Sequence, residues 1–426
     1  MAQPAHRNYT GSPVAKREPE RENDLMRILH TSDWHLGRSL MGFDLHDPQQ
    51  VFIDHIISVV KEEKVDVLLI SGDIYDRSMP SLASIDLLSY ALSALTKITK
   101  VAISSGNHDS ARRLGFGKEI FENSNLFIRT TVDDITKPVL IPHDGGQLAI
   151  YGIPYLDPYT TAGLLLERDK DGKLPPASHH SVLDAAMKRI TAHRKDVKAN
   201  KTIVMSHAWY AGGEPSDSDT NIGGLGQASL ELLKGFDYAA LGHLHKPKEI
   251  EDHIRYSGSA LPYSFSEKDV AKLSYLVDIG KDGVKVKEIP SPVYKTMHVL
   301  EDTMENLLKS AKYKGLEDQF VKIRIKDERP PVNPKIALAD RFGFIVELYT
   351  ESIELETKNF EEIKLMSPED LVGTFLTEIR NYSADAWEAK EIKAAIERIQ
   401  AGAPIENYEG DECTHEEDDA PTEVEV

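Results

Sequence analysis

The sequence predicts an α/β fold: two layered sheets with helices outside, then a small α+β capping domain and C-terminal helices. Three observations carry that reading. Short apolar runs alternate with segments of helical spacing from Met26 onward. The later strand-like runs have fewer helices between them, which suggests a second sheet packed against the first. After about Pro290 the pattern changes again.

Met26 to His30 (MRILH) opens the first strand, and Met26 is expected close to the functional start of the fold. Val51 to Lys61 has helical spacing, with Phe52, Ile56, Val59 and Val60 on one side. Val65 to Ile70 is a short apolar run of the kind buried on both faces of a parallel sheet. A helix over Ser84 to Leu95 and a strand over Lys100 to Ser104 follow. Later strands are expected at Leu148 to Ile153, Thr202 to Met205, Tyr238 to Leu241, Arg255 to Ser259 and Leu273 to Asp278.

Beyond Pro290, strands are expected at Met297 to Leu300, Gln319 to Lys326 and Phe344 to Leu348. Thr303 can cap a helix running to about Ala311, and Asn333-Pro334 starts a short one ending near Arg341. Ser367-Pro368-Glu369-Asp370 is a strong helix start, with Leu371, Phe375, Leu376 and Ile379 as its apolar stripe. A last helix spans about Ala384 to Gln400, with Ile392, Ile396 and Ile399 on one face. The expected division is a disordered extension over 1–25, a core over 26–285, a capping domain over 290–355, a helical partner-docking segment over 367–402 and a disordered acidic tail over 403–426.

The formal charge of −20 does not exclude a polyanionic substrate, because its distribution matters more than its sum. Nine acidic residues lie between Glu409 and Glu425 without a Lys or Arg among them. The lone cysteine, Cys413, excludes a disulfide framework or thiolate metal site within the chain and fits a reducing cytosol. No apolar leader and no run approaching a membrane span is visible, so a soluble, cytoplasmic protein with no membrane partner is expected.

Five short motifs carry the chemistry: Asp33-Trp34-His35, Gly72-Asp73-Ile74-Tyr75-Asp76, Gly106-Asn107-His108-Asp109, Ser206-His207 and Gly242-His243-Leu244-His245. Each follows an apolar run, so all five are expected to converge on one edge of the sheet, beyond the carboxyl ends of the strands. Gly72, Gly106 and Gly242 allow the tight turns this requires. Taken singly, each histidine reads as a cap or core residue. The ordered set in strand context supplies oxygen and imidazole donors for two divalent cations. Two cations about 4 Å apart need an anion between them, and Asp73 is the best candidate. Donors without sulfur leave Mn²⁺, Mg²⁺, Fe²⁺ and Zn²⁺ open. His30, His46, His55, His143, His179, His180, His193, His253, His298 and His415 lie outside the motifs and receive no role.

The ordered set resembles the calcineurin-like metallophosphoesterase superfamily. His35-Leu36-Gly37-Arg38, Asp76-Arg77, the run from Gly224 to Leu241 leading into Gly242 to Pro247, and Tyr263-Ser264-Phe265-Ser266-Glu267 resemble the bacterial SbcD family of nuclease subunits. The resemblance implies one metal held by Asp33, His35, Asp73 and His245, and another by Asp73, Asn107, His207 and His243. It implies that His108 contacts the scissile phosphate and assists the leaving oxygen, with Asp109 orienting it. Asp76 stands where archaeal and eukaryotic members carry a second histidine, so that histidine's role is not transferred. The implied activity is a Mn²⁺-dependent DNA exonuclease and endonuclease on double-strand ends and hairpins. The implied partners are an SMC-like ATPase of the SbcC type, double-stranded and hairpin DNA, and a second copy of the chain. Two other readings use the same residues: a small-molecule phosphodiesterase or phosphoprotein phosphatase, and a catalytically silent scaffold. Lys246, Lys248, Arg38, Arg77, Arg112 and Arg113 lie near the motifs and could meet phosphates, but no basic stripe interleaved with aromatics is present.

Overall fold

The structure is a computed structural model that describes residues 25–143, 146–212, 226–327, 331, 333–350, 366–380 and 382–400. The extension expected over 1–25, apart from Leu25, and the tail over 403–426 lie outside the described residues. By its internal contacts the chain falls into two units, 1–324 with 335–349 and 325–334 with 350–426.

In the first unit two six-stranded sheets form. One runs, edge to edge, Gly283–Pro290, Leu273–Gly280, Met26–Thr31, Val67–Ser71, Lys100–Ser104 and Leu126–Arg129. Its last four strands are mutually parallel, Leu273–Gly280 runs antiparallel to Met26–Thr31, and Gly283–Pro290 runs antiparallel to Leu273–Gly280. The other runs Lys248–Glu251, Ile254–Tyr256, Tyr238–Gly242, Lys201–His207, Gly146–Ile153 and Val139–His143, with the four inner strands parallel. The layered α/β class expected from the sequence is the observed one.

The central strands read as unbroken apolar runs because both faces are covered. Ile28, Val67, Leu69 and Ala102 of the first sheet share a core with Ile150, Ile203, Met205 and Ala240 of the second. Leu29, Leu68, Ile70 and Val101 point the other way and pack with helices His46–Glu62 and Leu82–Leu95. The first of these buries Phe52, Ile53, Ile56, Val59 and Val60. Each such side chain contributes about 1.5–3 kcal/mol. The helix starts earlier than expected because Asp47 and Pro48 supply a favourable first turn. On the outer face of the second sheet, helix His179–Arg194 buries Val182, Leu183, Ala186, Met187 and Ile190.

His30 stitches the sheets together: Nδ1 lies 3.0 Å from the Tyr238 hydroxyl and Nε2 lies 3.2 Å from the Leu241 carbonyl. Burial pushes its pKa down to about 3, so it is a neutral core residue. Strands Met297–Asp302, Phe320–Ile325 and Phe344–Thr350 form a separate three-stranded sheet, with helices Met304–Lys309 and Pro334–Ala339 between them in sequence.

In the second unit helices Pro368–Arg380 and Ala386–Gln400 pair. The first is capped by Ser367, whose hydroxyl accepts from Asp370 N at 3.1 Å. Arg380 makes a two-pronged pair with Glu388 at 2.7 and 2.8 Å. Leu371, Phe375, Ile379, Tyr382, Trp387 and Ile399 remain exposed. None of the described helices is long and apolar enough to cross a membrane.

Candidate metal centre

The five motifs converge, but from two sheets rather than the single edge expected. Asp33, Asp73 and Asn107 follow strands of the first sheet, whereas His207 ends a strand of the second and His243 and His245 follow another. The carboxyl ends of both sheets meet because the second sheet also has a parallel centre. Ser71 Oγ donates to the Ala240 carbonyl at 3.0 Å and so ties the two ends together.

The loops interlock through the backbone. Asp33 N donates to Gly72 O at 3.0 Å, His35 N to Asp73 O at 2.9 Å and Leu36 N to Ile74 O at 2.9 Å. Asp33, His35, Asp73 and His243 sit at φ of 51°, 44°, 50° and 100°, in the left-handed region. Such positions cost about 1–3 kcal/mol each and persist only when their surroundings hold them. Gly106 is required for space rather than for the tight turn expected, since a Cβ there would fall 2.1 Å from Asp73 Oδ1. Gly72 needs both, with a φ of 88° and His207 Nδ1 2.2 Å from where its Cβ would stand.

Asp73 is central. Its Oδ2 lies 3.5 Å from His35 Nε2 and 3.4 Å from His207 Nε2. On one side His35 Nε2 faces His245 Nε2 at 3.1 Å, with Asp33 Oδ1 4.0 Å from His35. On the other, Asn107 Oδ1 lies 3.1 Å from His207 Nε2 and 3.0 Å from His243 Nδ1. Asp33, His35 and His245 bring ligand atoms within 4.8 Å of one another, as do Asp33, Asp73 and His207. A third cluster joins His35, Asp76 and His108.

These groups are buried, and burial sets their electrostatics. It raises the Asp33 carboxyl to about 7. It lowers His35 to about 4 and His243 to about 3, so both rings offer neutral lone pairs. His207 goes the other way: burial opposes its charge, but the Asp73 carboxylate and then Asp33 outweigh it and raise the imidazole to about 9. Asp73 falls well below the usual carboxylate range, because His207, His35 and His108 outweigh its burial. Buried oxygen and imidazole donors gathered on both sides of one carboxylate fit two divalent cations.

His108 is held differently from the expectation. Its Nδ1 donates to the backbone carbonyl of Asp76 at 2.6 Å, and its backbone N donates to Asp73 Oδ1 at 2.9 Å. Asp109, expected to orient His108, instead accepts from the backbone N–H groups of Ile74, Tyr75 and Gly106 at 3.1, 3.0 and 2.9 Å. Its oxygens are taken up in joining two motif loops. Burial, with Asp73 nearby, raises the Asp109 carboxyl to about 6.

Beside Arg38, which the sequence marks only as a possible phosphate contact, several residues of the site carry no role in the sequence. Tyr263 donates its hydroxyl to Trp34 O at 2.5 Å, and its ring packs beside His35 and His245. Gln49 donates to His35 O at 2.8 Å. Ser32 donates to Asp33 Oδ2 at 2.5 Å. Arg38 spans Asp76, at 3.3 Å, and the Tyr263 ring. The segment Tyr263 to Glu267 was marked by resemblance alone, while Gln49 and Ser32 bear no motif that singles them out.

The chain belongs to the calcineurin-like phosphoesterase family, whose sequence profile matches residues 26–247. It is therefore a metal-dependent phosphoester hydrolase. Among solved structures it is similar to TT1561 of Thermus thermophilus, at 12% identity and a TM-score of 0.36, over 62% of this chain and 99% of that one. It is also similar to GAP50, the anchor in the inner membrane complex of Plasmodium, at 13% identity and a TM-score of 0.39, over 64% and 87% of the two chains.

Proposed function

We propose that this chain is a Mn²⁺-dependent DNA nuclease subunit of an SbcCD-type complex, cutting double-strand ends and hairpins with an SMC-like ATPase partner. The observation that carries the reading beyond phosphoester hydrolysis is the helix pair of the second unit. Leu371, Phe375, Ile379 and Trp387 stay exposed there, as a docking element for a partner's helices requires. A small-molecule phosphoesterase gives neither this pair nor the three-stranded sheet over 297–350 a task. In this reading the sheet approaches DNA. A second copy of the chain covers the apolar groove lined by Met79, Ile85, Leu88, Leu92, Phe116 and Phe121, where Met79 and Phe116 are exposed.

Asp33, His35, Asp73 and His245 would hold one cation, and Asp73, Asn107, His207 and His243 would hold the other. When bound, the two cations polarise the phosphodiester and lower the pKa of an attacking water. Asp73, whose Oδ2 lies 3.5 Å from His35 Nε2 and 3.4 Å from His207 Nε2, would supply the negative charge shared by the two positions. His108 acts on the leaving oxygen through Nε2, because its Nδ1–H is committed to the Asp76 carbonyl. As an acid it must carry protons on both nitrogens and lose the one on Nε2.

Removing residues 367–400 and measuring co-purification with the ATPase tests the assembly. The reading expects association to be lost while hydrolysis of bis-p-nitrophenyl phosphate persists. Unchanged association contradicts the docking role.

A further inference from the structure

The histidines on the two sides of Asp73 differ in what stands behind them. His35 Nδ1 is buried and makes no hydrogen bond among the described residues, yet it lies 3.5 Å from Asp76 Oδ1. His245 Nδ1 lies 3.7 Å from Glu267 Oε1. Both contacts are long for hydrogen bonds and act through charge: a carboxylate facing Nδ1 favours the proton there, which leaves Nε2 as the lone pair. Each carboxylate has its own cation, Arg38 Nη1 at 3.3 Å from Asp76 and Lys272 Nζ at 2.5 Å from Glu267. Across Asp73, His207 turns its Nδ1 to the Ser71 backbone carbonyl at 2.9 Å.

Glu267 is fully buried although it carries a charge, and its surroundings explain why it stays. Its Oε1 accepts from Ser264 Oγ at 3.1 Å and its Oε2 accepts from Tyr263 N at 3.4 Å. Lys272 reaches past it to donate to the His245 carbonyl at 2.8 Å and to Ser259 Oγ at 2.9 Å. The ion pair therefore grips His245 at both its ring and its backbone. Carboxylates behind a ligating imidazole fix its tautomer and raise its basicity, and losing one typically costs about 10- to 100-fold in metal affinity. Direct donors are unequal in the same sense: Asp33 joins Asp73 on one side, whereas neutral Asn107 joins it on the other.

We propose that Glu267, locked by Lys272, is a positioning residue for His245, and that with Asp76 behind His35 it makes the two metal positions unequal. The position built on Asp33, His35 and His245 fills first. This inference rests on the two-cation reading of the site.

The test is a Mn²⁺ titration of the metal-free full chain, with bound metal counted by electron paramagnetic resonance and heats read by calorimetry. The wild type is expected to bind in two classes separated by about tenfold or more. Glu267→Gln combined with Lys272→Met removes both buried charges together, which spares the fold an unpaired ion. That variant is expected to weaken the tight class by about tenfold and to leave the weak class unmoved. Asp76→Asn, acting from behind His35, is expected to weaken the same class. Two equivalent sites in the wild type overturn the proposal. So does a tight class that neither variant changes, or a loss shared equally by both classes. Failure of the two-cation reading looks different: no Mn²⁺ bound by the wild type, or full binding retained in Asp73→Asn.

Discussion

His108 donates its Nδ1–H to the backbone carbonyl of Asp76 at 2.6 Å. That bond fixes the ring's tautomer and leaves Nε2 as the atom that can serve a leaving oxygen. The carbonyl belongs to the loop that also carries Asp73, so the His108 ring and the central carboxylate are placed by one turn of chain.

A leaving-group comparison checks this role. His108→Gln should lower turnover on DNA by about 10²- to 10⁴-fold, since an alkoxide leaving group needs a proton. On bis-p-nitrophenyl phosphate, whose leaving group needs no such help, the loss should be roughly tenfold or less. Equal losses on both substrates, measured as kcat, would remove His108 from that role.

Gly106→Ala tests how tightly the site is packed. The new methyl falls 2.1 Å from Asp73 Oδ1 and 2.3 Å from Asp73 N, so the carboxylate or its loop must move. Bound Mn²⁺ per chain should fall and hydrolysis should drop by about 10²-fold, the usual result of a misplacement of about 1 Å. Retained stoichiometry and activity contradict the geometry.

Asp109 is predicted to matter for loop stability. Its carboxylate is the partner of three backbone N–H groups, on Ile74, Tyr75 and Gly106. Asp109→Ala leaves them without that partner, at about 1–3 kcal/mol for each that stays buried and unsatisfied. Denaturant unfolding should show a loss of roughly 3 kcal/mol or more. A loss under about 0.5 kcal/mol, the size of an ordinary surface change, would mean that water replaces these bonds freely.

Asp134 gives a pH-dependent prediction away from the metals. Burial alone would raise its carboxyl, but bonds from Lys118, the Thr130 and Thr131 backbone and the Thr131 hydroxyl lower it to about 2 from an ordinary 3.8. A depressed folded pKa means stability that is present above 3.8 and is lost as pH falls towards about 2. The size is about 2 kcal/mol. Asp134→Asn should therefore melt lower than the wild type at pH 6, with the gap closing between pH 4 and pH 2. A gap independent of pH contradicts the assignment.

Much of this molecule is legible in its sequence because its chemistry sits where strands end. Val67–Ser71 and Tyr238–Gly242 are buried on every residue, so they read as continuous apolar runs, and the ligand motif follows each directly. The helix His179–Arg194 was not anticipated, because its narrow buried stripe lies among His, Lys and Arg. Edge strands such as Val139–His143 and Gly283–Pro290 were missed for a related reason, since one face of each is exposed and polar or interrupted by proline. Asp109 shows a different limit. The family resemblance implies a partnership with His108, whereas the carboxylate accepts from backbone donors that no pattern of side chains encodes.

The proposed nuclease activity is tested most directly by Mn²⁺-dependent cleavage of linear and hairpin DNA by the full chain with an SMC-like ATPase of the SbcC type and ATP, beside Asp73→Ala. The expected results are cleavage by the wild type, none by Asp73→Ala, and none when the metal is chelated. Robust hydrolysis of bis-p-nitrophenyl phosphate without any DNA cleavage, under the same conditions, would contradict it.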